Sequence, residues 1–145
     1  MNKDELLKLE NQLCFKIYSV SRGITRIYKP ILDKLNITYP QYLVLLYLWE
    51  NGESTLKNIG NSLFLDSGTL TPLLKRLEKL DIITRKRAEY DERELIISLT
   101  EKGTELKKEA FCIPNEILCK TNLSFEKYEV LKAELDILIK TIFEK

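Results

Sequence analysis

FLDSGTLTPLLKRLEKLDIITRKRAEYDERELIISLTEKG, residues 64–103, reads in order as a helix, a short strand, a charged turn and a returning strand that ends in a helix cap. Asp66 stands where a short carboxylate can accept the free N–H groups opening the helix SGTLTPLLKRLEKL. Pro72 falls inside that helix, which is awkward in isolation but tolerable where the helix is tightly packed. Ile82-Ile83-Thr84 and Leu95-Ile96-Ile97 read as two strands, with the turn near residues 89–92. Thr100 caps the helix that follows. This order is a winged helix-turn-helix, a shape that lays one helix in a DNA groove with a basic loop beside it.

Working outward, Thr55 caps a short helix, LKNIGNSL. Before it, Thr38 and Gln41 form a capping box, with Pro40 in the first turn. The helix they open, YPQYLVLLYLWE, is apolar nearly all round and therefore predicted to be buried, and Asn51-Gly52 ends it. Residues 5–35 read as one long amphipathic helix, because Leu6, Leu9, Leu13, Ile17, Val20, Ile24, Ile27, Ile31 and Leu35 recur at spacings of three and four. Pro30 is expected to bend it. After the wing, a fifth helix is predicted from Thr100 to about Lys120. A sixth, capped by Ser124, carries the stripe Phe125, Tyr128, Leu131, Leu135, Leu138 and Ile142.

The expected fold is thus mostly α: six helices plus a β-hairpin wing in one domain, 1–145, with the winged core at 36–100. The first and last helices have more apolar surface than one small winged unit can cover. Segments 1–35 and 101–145 are therefore assigned to dimerisation. A homodimer would present two recognition helices to double-stranded, pseudo-palindromic operator DNA.

Composition narrows the function classes. At 145 residues, with 44% hydrophobic and 31% charged residues, the chain is an ordinary globular domain. Its net charge of +1 gives no global basic signal, so any affinity for nucleic acid must be local. Lys75, Arg76, Lys79, Arg85, Lys86 and Arg87, set against Glu78 and Asp81, supply such a patch. There is no histidine, no CxxC and no carboxylate cluster, so neither a metal nor a cofactor is expected, and the chain does not read as an enzyme. Cys14, Cys112 and Cys119 are too few and too scattered for a secreted disulfide framework. No apolar run can span a bilayer, and MNKDELLKLE is too acidic for a signal peptide, so no membrane partner and a cytoplasmic location are expected.

Asp66, Ser67, Thr69 and Thr71 occupy the first turns of the recognition helix, where short hydroxyls approach base edges and phosphates. Lys75 and Arg76 lie further along and suit phosphate, and Arg85 joins them from the basic patch. On the first helix, Cys14, Tyr18, Ser21, Thr25 and Tyr28 form a more polar second stripe. Cys14 and Tyr28 are about 21 Å apart along a helix, so within one chain they cannot touch. An antiparallel partner helix could bring them together. An apolar pocket near Cys14, built from residues such as Phe15 and Tyr18, would favour a bulky oxidant.

NQLCF at 11–15, ITYPQYLVL at 37–45, FLDSGTLTPLLKRLE at 64–78 and DER at 91–93 together resemble the MarR family of winged-helix repressors. Within it, the chain is similar to the organic-hydroperoxide resistance regulators of the OhrR type. The resemblance implies that Arg93 enters the minor groove, oriented by Asp91. It implies that Cys14 is a redox sensor whose thiolate is held by the phenols of Tyr28 and Tyr39 from the other subunit. It further implies that an organic hydroperoxide oxidises Cys14 to a sulfenic acid, which condenses with Cys119 as resolving cysteine between subunits. DNA is then released and a peroxide-detoxification gene derepressed. Cys112 is a bystander or an alternative resolver. Competing readings are a global thiol-based or small-ligand-responsive regulator of the same fold, and a thiol peroxidase.

Overall fold

A computed structural model of the chain describes residues 2–143. In chain order its elements are α1 (Lys3–Leu6), a 3-10 turn (Leu9–Asn11), α2 (Leu13–Asp33), α3 (Tyr39–Asn51), β1 (Ser54–Thr55), α4 (Leu56–Leu63), α5 (Ser67–Lys79), β2 (Ile83–Arg87), β3 (Leu95–Leu99), α6 (Glu101–Ala110), α7 (Ile113–Thr121) and α8 (Phe125–Phe143).

The caps stand where their residue types require them. Thr38 and Gln41 form the reciprocal box, with the Thr38 N–H donating to Gln41 Oε1 at 2.8 Å. Thr55 Oγ1 accepts from Asn58 N, Asp66 Oδ1 from Thr69 N, and Thr100 Oγ1 from Gly103 N. Gly52 stops α3 at φ +74°, in the left-handed region that suits a residue without Cβ. Phe64 ends α4 in the left-handed conformation, which is unusual for a bulky side chain, and its ring stacks on Phe143 at a centroid distance of 4.3 Å.

Three expectations are corrected. The helix predicted over 5–35 is broken at residues 7–12. Asn11 and Gln12 turn their side-chain amides onto the carbonyls of Glu5, Leu6 and Lys8, and Gln12 is extended. Such amide-to-backbone bonds compete with the helical ladder. The helix predicted from Thr100 to Lys120 is likewise two helices, parting at Phe111-Cys112, because Pro114 fits the first turn of a new helix rather than the interior of an old one. The wing hairpin gains a third strand: Ser54 and Thr55 pair antiparallel with Ile97 and Ile96, giving the order β1-β3-β2. A two-residue strand has no alternation to betray it.

The core joins Ile31 and Leu32 of α2 to Val44, Leu45 and Leu48 of α3, Ile59, Leu70, Leu74 and Leu77 of the helix-turn-helix, Ile97 of β3, and Leu106 and Ile113 beyond the wing. Gly103 closes it. A Cβ there would stand 2.1 Å from the Ile82 carbonyl oxygen, and the Gly103 carbonyl accepts from Trp49 Nε1. By contrast, α8 buries no residue, and α2 buries only Ile31 and Leu32. Leu13, Ile17, Val20, Leu131 and Ile142 all remain exposed. Among the described residues no helix is long and apolar enough to cross a membrane.

Candidate nucleic-acid interface and thiol site

At the start of α5, Asp66 acts as a cap. Its Oδ1 accepts the Thr69 N–H at 2.8 Å and its Oδ2 the Thr69 hydroxyl at 3.2 Å, and the first of these bonds holds its carboxyl below the usual carboxylate value. Thr71 is half-buried and its hydroxyl donates back to the Ser67 carbonyl at 2.6 Å. Ser67 and Thr69 are exposed, as are Lys75 and Arg76 one to two turns on. The outermost part of the helix therefore offers short polar groups first and cations after them.

Arg85 stands apart from the other predicted cations. Its Nε and Nη2 both donate to Glu78 Oε2, at 2.9 and 2.7 Å, so a carboxylate already faces its guanidinium. At the wing, Asp91 Oδ1 accepts the Arg93 backbone N–H at 2.9 Å, an Asx turn that shapes the tip. The Arg93 guanidinium has no ion-pair partner among the described residues. Arg87, missing from the predicted contacts, donates from Nη1 to the Glu92 carbonyl beside it.

The three cysteines stand outside the winged unit, on α2 and in the segment that leads into and forms α7. Cys14 is exposed in the first turn of α2, and Cys112 and Cys119 are exposed and free. Tyr28 sits four turns along the same helix, about 21 Å from Cys14. It packs instead on Tyr39, at 4.7 Å between ring centroids, and on Tyr42, at 5.9 Å. Burial, reinforced by the Tyr39, Tyr42 and Tyr128 phenols, pushes Tyr28 up to about 12, and burial also raises Tyr39 and Tyr42. These hydroxyls stay protonated at neutral pH and can only be donors to an anion. Sequence reasoning missed Tyr42 and Tyr128. Tyr42 was legible, since it follows Tyr39 by three residues on one helical face; Tyr128 stood only on the apolar stripe of the last helix, with nothing to place it beside Tyr28.

Cys112 precedes α7 and Cys119 lies within it, so their Cα atoms are about 10.5 Å apart. A disulfide tolerates about 7 Å at most, so the two cannot bridge within a chain. Phe15 and Tyr18 lie outside the apolar cleft beside α2. Both are exposed, and Arg22 lies over the Tyr18 ring. The apolar cleft runs along the opposite face of α2, about 400 Å³ between Leu13, Ile17, Val20, Tyr39, Leu131 and Leu135. Among the described residues, no group of three or more acidic or cysteine side chains could hold a metal ion.

Residues 26–110 match the family model for the transcriptional regulators SarA/Rot. An organic hydroperoxide resistance transcriptional regulator of Bacillus subtilis (strain 168) is 56% identical over 99% of this chain and 98% of its own. The chain belongs to the MarR-type winged-helix transcriptional regulators. A structure of reduced AbfR bound to DNA, 42% identical, matches this regulator with a TM-score of 0.83 over 97% of this chain and 96% of that one. A disulfide-formed AbfR, 43% identical, matches with a TM-score of 0.65 over 94% and 96%. This regulator's relatives are transcriptional regulators and not enzymes.

Proposed function

We propose that this regulator is a homodimeric repressor that releases a pseudo-palindromic operator when an organic hydroperoxide oxidises Cys14. The observation that carries the reading is an exposed thiol at one end of α2 and a packed set of protonated phenols near the other, too far apart to meet within a chain. An antiparallel α2 from a second subunit resolves that separation and covers the apolar faces of α2 and α8. Segments 1–35 and 101–145 then act as dimerisation helices around the winged core at 36–100. Tyr28 and Tyr39 of one subunit donate to the Cys14 sulfur of the other.

In the reduced dimer, Ser67 and Thr69 reach base edges, Lys75 and Arg76 reach phosphate, and Arg93 enters the minor groove from the wing. The Cys14 thiolate attacks one peroxide oxygen, the O–O bond breaks, and the alcohol leaves with a proton. Cys14 is now a sulfenic acid. The Cys119 thiol of the second subunit attacks that sulfur, forming the S–S bond and releasing water. Helix α7 must follow Cys119, the two recognition helices lose their spacing, and DNA is released. The likeness to a hydroperoxide resistance regulator supports the choice of oxidant and a peroxide-detoxification gene as the target.

The test pairs non-reducing electrophoresis with DNA-binding anisotropy after cumene hydroperoxide treatment. A covalent dimer is expected in the wild type and in Cys112→Ser, and none in Cys14→Ser or Cys119→Ser. A Cys14→Ser protein that still leaves DNA on oxidation would sink the reading.

A further inference from the structure

The sequence assigns Arg85 to DNA, but its surroundings favour another role. Glu78 stands on the last turn of α5 and Arg85 in the middle of β2, and the turn between them passes through Asp81 at φ +58°. Two guanidinium donors converge on one carboxylate oxygen, with the Arg85 side chain 19% exposed and Glu78 38%. A phosphate approaching Arg85 would have to displace that carboxylate or lie beside it. Arg87 is two residues along β2 and so on the same face of the strand. It bonds the Glu92 carbonyl, one residue before Arg93. The two arginines therefore hold the strand at its middle and its far end: Arg85 to the recognition helix, Arg87 to the wing tip.

We infer that Glu78 and Arg85 are positioning residues, fixing the recognition helix relative to the wing so that α5 and Arg93 engage adjacent grooves together. The inference rests on the DNA-binding reading of α5 and the wing. A part-exposed ion pair adds little to stability, so its contribution lies in geometry. Glu78→Gln and Arg85→Gln should each fold normally yet bind DNA about tenfold more weakly, a cost within the usual range for misaligned contacts.

The experiment measures binding of full-length dimers to a duplex selected on the wild type from a random-sequence pool, over a series of salt concentrations, with thermal midpoints as a folding control. The exchanged pair Glu78→Arg with Arg85→Glu should recover affinity to within about threefold of wild type, and Arg85→Gln should leave the salt slope unchanged. Arg93→Ala, by comparison, should reduce the slope by about one. Arg85→Lys, which keeps the charge and loses the two-donor fork, serves if Gln disturbs folding, and should bind several-fold more weakly. The inference is overturned if the exchanged pair binds worse than either single variant, if Arg85→Gln alone lowers the slope by about one, or if the single variants bind as the wild type does. A wild type that selects no duplex would instead remove the DNA-binding reading beneath it.

Discussion

Leu74 of α5 is fully buried, whereas Leu131 of α8 is 46% exposed, although both sit on the apolar stripe of an amphipathic helix. The difference separates two kinds of hydrophobic face. Leu74 belongs to one buried cluster with Ile59, Leu70, Leu77 and Ile97 of its own chain, so the winged unit completes its core by itself. Leu131 lines an open cleft beside α2. Apolar area of that extent on long helices marks a surface meant for another molecule. One half of the molecule closes its own core, and the other leaves its apolar faces open.

Leu74→Ala should sharpen this contrast most. It should cost about 3 kcal/mol, since a buried leucine leaves a cavity as well as losing its transfer energy, read as a lower midpoint in urea. A loss below about 1 kcal/mol would mean that the winged core is looser than its packing indicates. Leu131→Asp should leave most of that folding energy intact yet yield a monomer by light scattering. Its operator affinity should fall about 100-fold, because two linked half-site contacts become one. A variant that remains dimeric would place the interface elsewhere.

Tyr28→Phe should have the smallest effect on stability, and that effect is confined to alkaline solution. The folded Tyr28 holds its proton up to about pH 12, while an unfolded tyrosine releases it near 10. The native state therefore binds the extra proton between those values. Its stabilising share is complete below pH 10 and lost as pH rises through 12. Phenolate absorbance should show one fewer late-titrating tyrosine in Tyr28→Phe than in the wild type, and the alkaline midpoint of the variant should fall less steeply. Identical titration curves would dissolve the phenol cluster as described.

Much of the winged unit was legible because local chemistry fixed it. Thr38, Thr55, Asp66 and Thr100 each start a helix where a short side-chain oxygen meets free backbone N–H groups, and Gly52 ends one. The Asx turn at Asp91 was legible in kind from its residues. The terminal segments misled because apolar periodicity survives a break in the backbone. Leu6 and Leu9 keep the helical spacing of Leu13 although Gln12 is extended. Over 101–121 the apolar residues are too sparse before Phe111-Cys112 to fix a helical stripe, and a proline suits a bend as well as a fresh start. The split after Ala110 coincides with a shift from a charged to a largely uncharged segment, which a single continuous helix also accommodates.

The sequence alone determined the winged helix-turn-helix, the cap residues and the family, since these depend on neighbours within a few positions and on motifs in order. Only the tertiary structure decided that Arg85 faces Glu78, that Tyr28 packs on Tyr39 and Tyr42, and that Cys112 and Cys119 cannot pair. These depend on which distant segments share space. A free cation and a clasped one carry the same letter, and only the carboxylate opposite tells them apart.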